Sequence, residues 1–445
     1  MTDIDALIAD AMEFHQAGKL AEAETAYKTI LAANPKHAGV LHNLGVVAAG
    51  TGRAKEAIGY FDRAIAIDPA YASAHFNKAV ASRALGKLDA ALAGYGQTVA
   101  LAPDHYEAHL ALGFLWNARG RRDRALDHFA RTLELRRGED DIGLAYKSFQ
   151  STTRAKLRHD AGQFRYLAAR TKDPTRFETL ARLYEGVEHD LNGGEQDNVV
   201  RLDDDQIARL GETYNAPFHV IDAPEVRGPA VNPDLDTAAI TGAYRAAAPG
   251  VAWFDDLLSE RALALLQRFL LQSTIWFDYA HIRGFLAAYL EDGLASPLVL
   301  QIADELRSVL PDVFKDHALS QIWAFKAIDA QKGIDLHADD GAVSVNFWVT
   351  PDSANLAPDH GGLVVYTKET PADWRLTSYD DDREAIQAYL ADADDSKIVI
   401  PYRENRAVIF DSRLFHGSDA VSFMPGYENH RINVTMMFGT RRPNV

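Results

Sequence analysis

The chain contains no cysteine. That excludes disulfides, thiolate metal ligands and a cysteine nucleophile together. Basic residues are also scarce: 46 Lys and Arg stand against 63 Asp and Glu, a formal net charge of −17. With no long basic block, neither a nucleic acid nor an anionic membrane surface is an expected partner. No apolar run approaches the roughly 20 residues that a bilayer span requires. The opening Met1-Thr2-Asp3-Ile4-Asp5 lacks the positive start and apolar core of a secretory leader, so a cytoplasmic protein is expected. What is present is an ordinary globular composition, 47% hydrophobic and 24% charged, over 445 residues. That length exceeds what one hydrophobic core supports, and two or more domains are expected.

An internal repeat fills the first third. Gly18, Gly52, Gly86 and Gly120 recur every 34 residues, as do Ala23, Ala57, Ala91 and Ala125. Tyr27, Phe61, Tyr95 and Phe129 keep the same step, and Pro35, Pro69 and Pro103 close three of the repeats. Leu44-Gly45 and Leu112-Gly113 mark repeats two and four, while Asp10-Ala11 and Lys78-Ala79 depart from that pair. A small residue lets two helices approach, an aromatic fills the space beside it, and proline stops the second helix. The pattern is similar to the tetratricopeptide repeat, whose period is about 34. No single unit can bury its apolar face, so the four must stack as a solenoid over residues 1–138.

Beyond Gly138 the period is lost, and residues 139–249 read as a helical connector and linker. Helical spacing continues over Leu144–Arg170 and Pro174–Leu191. Asn192 to Asn198 is a break, and residues 214–250 read as a linker with short elements. From about 250 the texture changes. Val251–Phe254 reads as a strand, Ser259 as the N-cap of a helix over Ala262–Leu271, and Pro297–Leu310 as a second helix. Strands are then expected at Gln321–Phe325, Val343–Val349, Leu363–Tyr366, Lys397–Pro401, Ala407–Phe410 and Arg431–Phe438, an antiparallel sandwich or jelly roll.

The chemistry sits in this last region. Gly333 to His337 reads as the end of a strand, on which His337 and Asp339, at i and i+2, face the same side. A third ligand from a distant strand would complete a two-histidine, one-carboxylate face of the kind used by non-haem Fe(II) oxygenases. The order of pieces is His337-Ala338-Asp339, Gly361 to Tyr366, Ala407 to Gly417 with His416, and Arg431 to Thr435. This order resembles the Fe(II)- and 2-oxoglutarate-dependent dioxygenase superfamily with its double-stranded β-helix; the resemblance covers roughly residues 250 to 440, is strongest from 321 to 438, and implies a domain over residues 250–445. The resemblance implies His337, Asp339 and His416 as iron ligands, and Arg431 as the partner of the far carboxylate of 2-oxoglutarate. It also implies O2 as co-substrate and hydroxylation as the reaction. An arginine fork matches a carboxylate in two parallel bonds. Asn433, two residues on in the same strand, and Asn346 are further candidate contacts. Arg431 lies fifteen residues past His416, with Met424-Pro425-Gly426-Tyr427 reading as a small insertion; a simpler role for Arg431 is an ion pair with Glu428.

The whole reads as an α+β multidomain chain: α-solenoid, helical connector, jelly-roll oxygenase domain. The expected substrate is a protein or peptide side chain delivered by the repeats. The layout resembles aspartyl/asparaginyl β-hydroxylases, but those lack the carboxylate that Asp339 supplies. The alternatives are a small-molecule oxygenase whose repeats serve docking or homo-oligomer formation, and a non-catalytic scaffold with a degenerate domain. His75, His109, His128 and His360 read as surface or satisfied core residues, and Trp323 and Trp348 as packing aromatics. The acidic runs Asp380–Asp382 and Asp392–Asp395 read as solvated loops.

Overall fold

The computed structural model describes residues 4–138, 149–191, 198–280, 284–314, 316–328, 333–371, 374, 383–391 and 396–440. Residues 192–197 of the break expected at 192–198, the beginning of the helix expected from Leu144, and both acidic runs lie outside these residues. The chain divides into two compact units, residues 1–132 and 133–445. The described part of the connector falls within the second unit.

The first unit is a run of paired helices: α1 (Ile4–Gln16), α2 (Leu20–Ala33), α3 (Ala38–Gly50), α4 (Ala54–Ile67), α5 (Ala72–Ala84), α6 (Leu88–Leu101), α7 (Tyr106–Ala118) and the start of α8 (Arg122–Arg137), whose residues from 133 on are counted in the second unit. Each of α2, α4 and α6 ends two residues before its proline. The repeated glycines at 18, 52, 86 and 120 turn the chain inside each pair with φ between +69° and +79°, a conformation that favours glycine. The repeated alanines and aromatics are all buried. Their pairing explains the Leu-Gly signature: a Cβ on Gly45 would lie 2.6 Å from the Phe61 ring, and one on Gly113 2.5 Å from Phe129. Repeat three has Ala79 at this position, and there the facing helix gives way instead. A Cβ on Gly94 would meet Ala79 Cβ at 2.8 Å.

The second unit begins with the short antiparallel pair β1 (Ser151–Thr152) and β2 (Val200–Arg201), and with helices α9 (Arg154–Ala168) and α10 (Pro174–Asp190). Thr153 caps α9 through its side chain, and Asp173 with Pro174 starts α10. The two helices close over Leu157, Phe164, Phe177 and Tyr184. The linker contains a helix at Thr237–Ala246. Ser259 stands where the cap was expected, before a helix at Glu260–Gln272, but its hydroxyl donates to the Pro229 carbonyl instead (3.0 Å).

Two antiparallel sheets follow. The larger has six strands in the order β3 (Val251–Phe254), β9 (Ala407–Asp411), β6 (Val343–Trp348), β11 (Ile432–Phe438), β5 (Leu319–Ala327) and β4 (Phe285–Tyr289). The smaller has three, in the order β10 (Leu414–Ser418), β7 (Leu363–Glu369) and β8 (Lys397–Ile400). The strands β4 and β10 were not expected from the sequence. Among the described residues, no helix is long and apolar enough to cross a membrane.

Candidate metal centre and adjoining pocket

Residues 333–336 do not form the expected strand; His337 instead makes an isolated antiparallel bridge with His416 of β10. Each backbone N–H donates to the other's carbonyl, at 2.9 and 2.8 Å. Directly opposed residues share a face, so the two imidazoles meet, with ring centroids 4.3 Å apart. Two residues on, the Asp339 N–H donates to the Ser412 carbonyl (2.9 Å), which keeps the segment alongside and returns the carboxylate to the same face. His337 Nε2 lies 3.9 Å from Asp339 Oδ1, and His416 Nε2 3.7 Å from Oδ2. One ligand atom from each of the three residues lies within 4.8 Å of the others. The expected strand alternation is not what brings these residues together; the His337–His416 bridge and the Asp339–Ser412 bond do.

Hydrogen bonds behind the triad fix its chemistry. His337 Nδ1 is 2.9 Å from the Asp335 carbonyl, and His416 Nδ1 is 3.0 Å from the Leu414 carbonyl. A carbonyl only accepts, so each Nδ1 donates to it, which leaves each Nε2 as the nitrogen that would meet a metal. Burial, with the nearby His337, pushes the His416 pKa down to about 4, so this imidazole is neutral at pH 7. Asp339 Oδ2 accepts from the Ser344 hydroxyl (2.7 Å), which in turn lies 2.9 Å from the Ser412 hydroxyl. Both serines are fully buried. Sequence reasoning passed over them; the trace was a serine inside the apolar run Val343-Ser344-Val345.

The pocket in front of the triad lies between the two sheets. Strand register explains its wall. Phe325, Asn433 and Trp348 form one cross-strand row on β5, β11 and β6, and Trp323, Thr435 and Asn346 form the next. All six line the pocket, together with Arg431 and His416. Trp348 is the packing residue expected, fully buried, but it and Trp323 are also pocket wall.

Arg431 is buried at 2% exposure and is not paired with Glu428. Its Nε donates to the Gly361 carbonyl (2.7 Å) and Nη2 to the Gly362 carbonyl (3.3 Å). Its Nη1 donates to Asn433 Oδ1 (3.3 Å), and the guanidinium stands 5.7 Å from the Trp348 ring centroid. Desolvation lowers its pKa to about 10. Among the described residues no carboxylate forms an ion pair with it. Asn433 passes a bond to Thr435 Oγ1 (3.4 Å), and Thr435 donates to Asn346 Oδ1. Arg431, Asn433, Thr435 and Asn346 are thus one polar chain along the pocket wall. The four histidines read as bystanders all have protein partners or neighbours away from the triad: His75 on the Pro69 carbonyl, His109 on Pro103 and His128, His360 on Asp419.

A tetratricopeptide-repeat family model matches residues 9–72 and 76–141. No curated protein matches the chain. Solved structures similar to it include MamA, at 23% identity over 30% of this chain and 78% of that one, with a TM-score of 0.29. An O-GlcNAc transferase mutant from Thermobaculum terrenum is 28% identical over 29% of this chain and 26% of its own, with a TM-score of 0.27. The first such repeat domain of Spaghetti (RPAP3), solved with an HSP90 peptide, is 23% identical over 26% and 93%, with a TM-score of 0.26. The N-terminal part of the chain is therefore a tetratricopeptide-repeat solenoid, followed by a β-rich region of antiparallel sheets.

Proposed function

We propose that the chain is an Fe(II)- and 2-oxoglutarate-dependent dioxygenase that hydroxylates a protein or peptide side chain recruited by its repeats. On this reading the two sheets are the halves of a double-stranded β-helix. The observation that carries the reading is one pocket lined by His337 and His416, which cluster with Asp339, and by a buried guanidinium with no carboxylate partner among the described residues.

The donor set fits the metal. Two imidazoles and one carboxylate are the ligands expected of non-haem Fe(II), and His337, Asp339 and His416 would hold it. Bound there, iron supplies oxidation of a substrate C–H bond by O2, coupled to decarboxylation of 2-oxoglutarate to succinate. The chain's residues do the rest. Leu414 and Asp335 hold the imidazoles in the ligating tautomer, and Ser344 holds the carboxylate. Arg431 receives the far carboxylate of the co-substrate, with its fork oriented by Asn433 and the Gly361 and Gly362 carbonyls. A buried cation flanked by Trp348 binds a carboxylate far better than a solvated one would. Trp323 and Phe325 give the pocket an apolar wall that keeps water from the reacting atoms. The repeats present an extended surface of the kind that captures polypeptides.

Full-length protein supplied with Fe(II), ascorbate and 2-oxoglutarate should form succinate, slowly when no substrate is present. His337→Ala and Asp339→Ala should lose both turnover and bound metal. Absence of succinate, with metal content unchanged in the variants, sinks the oxygenase reading. Proteins captured on residues 1–138 and treated with the enzyme should gain 16 Da by mass spectrometry, the mass of one oxygen atom; a metabolite hydroxylated equally well without the repeats would replace the polypeptide substrate.

A further inference from the structure

Lys326 is fully buried on β5, the strand whose neighbouring residues Trp323 and Phe325 face the pocket. Alternation turns Lys326 to the other face of the sheet. There its ammonium lies between two rings, 4.3 Å from the centroid of Trp276 and 4.2 Å from that of Tyr427. The bonds around it run in one direction. His159 Nδ1 is 2.9 Å from Asp160 Oδ1, and a carboxylate accepts, so His159 Nε2 is the acceptor for Lys326 Nζ at 3.2 Å. Lys326 also donates to the Tyr427 hydroxyl (3.0 Å), whose own hydrogen goes to the Leu271 carbonyl (2.7 Å). Lys156 donates to the other oxygen of Asp160. One ammonium therefore ties β5 to α9, to the helix that carries Leu271, and to the segment read as a small insertion in the sequence.

That segment leads straight to Arg431. Tyr427 opens a short 3-10 turn, Tyr427–Asn429, and lies against α9, where a Cβ on Gly162 would be in ordinary contact with Tyr427 Cβ at 3.5 Å. His430 stacks on His159, with centroids 6.2 Å apart and planes 20° apart. Its carbonyl accepts from Thr350 Oγ1 (2.8 Å), which also accepts from the Ile432 N–H (2.9 Å). Lys326 is the register partner of Ile432, and the Ala327 N–H donates to the Arg431 carbonyl (2.9 Å). The backbone on both sides of Arg431 is thus anchored to the strand and turn that Lys326 holds.

We infer that Lys326 is a positioning residue for Arg431, setting from behind the sheet where the guanidinium meets the far carboxylate of 2-oxoglutarate. The inference rests on the proposed oxygenase reading. It also gives the connector helix α9 a part in co-substrate binding, because His159 and Asp160 complete the network. A burial so complete is expensive for a lysine, and two aromatic faces with two acceptors are what offset it. Burial drives the Lys326 ammonium well below the ordinary lysine range, as it does the His159 imidazolium below that of histidine. A methionine of similar length would fill the space without that expense, so packing alone does not call for the charge.

The test separates the two halves of the pocket. Full-length wild type and Lys326→Met would be loaded with Mn(II), with Mn(II) affinity read by electron paramagnetic resonance and 2-oxoglutarate affinity by calorimetry. The expected result is a rise in the Kd for 2-oxoglutarate of about tenfold or more, the scale on which outer partners act, with Mn(II) affinity unchanged within about twofold. A purely structural role would weaken both together or neither, and either outcome in a folded variant overturns the inference. If Lys326→Met does not fold, Tyr427→Phe, which keeps the ring and removes one hydroxyl, should give the same split. Wild-type protein that holds Mn(II) but ignores 2-oxoglutarate would sink the oxygenase reading itself, a result distinct from a variant that binds as well as wild type.

Discussion

His337 and His416 stand directly opposite each other across one antiparallel bridge, although 79 residues separate them in the sequence. Their ligand geometry therefore depends on residues 333–339 docking against β10 through a handful of backbone bonds. A metal that binds only the docked form must stabilise it. Fe(II) or Mn(II) at about 100 times its Kd should add about 2.7 kcal/mol to stability and slow amide exchange at both histidines. The measurement is thermal unfolding with exchange read by mass spectrometry, with and without chelator. Asp339→Ala should abolish both effects, and an equal gain in that variant would mean that the metal binds elsewhere.

Ser344 acts on the same centre at one remove. Its hydroxyl occupies Asp339 Oδ2, and Ser412 occupies Ser344. Ser344→Ala leaves a buried carboxylate oxygen without that donor and frees the carboxylate to rotate. Metal affinity should fall by about 10- to 100-fold, the usual effect of removing an outer partner. Competition with a fluorescent chelator would measure it.

Arg431→Met should separate co-substrate from metal binding. The variant removes the fork and leaves the Gly361 and Gly362 carbonyls without their donor. Truncating one side of a buried charged pair costs about 2–5 kcal/mol. The binding of 2-oxoglutarate should weaken by that amount, while metal content stays near that of wild type. Calorimetry against 2-oxoglutarate reads the first and metal analysis the second; unchanged 2-oxoglutarate affinity would remove Arg431 from the site.

The repeats were legible because a period of 34 residues states itself four times, with the crossing residue and its aromatic in fixed register. The clustering of His337, Asp339 and His416, and the place of Arg431 in the adjoining pocket, could be anticipated from an ordered set of residue types along the chain, which says more than spacing alone. Other parts left no such signal. Phe285–Tyr289 and Leu414–Ser418 are short strands whose pairing is decided by partners far away in sequence. Lys326 is the clearest case. A lysine in a strand of alternating texture reads as a solvent-facing residue, and nothing near it names His159, Trp276 or Tyr427 as the groups that bury it.

Within the repeats, Gly113→Ala tests why Leu-Gly recurs. The added Cβ would sit 2.5 Å from the Phe129 ring, so helix or ring must move. Overpacking of this kind costs about 1–3 kcal/mol. Chemical denaturation should show that loss, and Phe129→Leu in the same chain should recover part of it. A neutral Gly113→Ala would mean that the α7–α8 crossing is looser than its geometry states.

Acid should weaken the second unit through His430. Burial, with the nearby Lys326 charge, lowers its pKa from the usual 6.5 to about 3. His159, Lys326 and Tyr427 are the titratable groups that face it. The unfolded chain takes up a proton below about pH 6.5, while the folded chain resists until about pH 3. Between those values the unfolded state binds more protons, so stability falls as pH falls. Above pH 6.5 the contribution is fully present. His430→Phe keeps a ring against His159 and cannot be protonated. Its Tm should drop less steeply than that of wild type between pH 6.5 and 4.5, with the two curves parallel above pH 7. Equal slopes throughout that window would show that His430 is protonated as easily in the folded protein as in the unfolded chain.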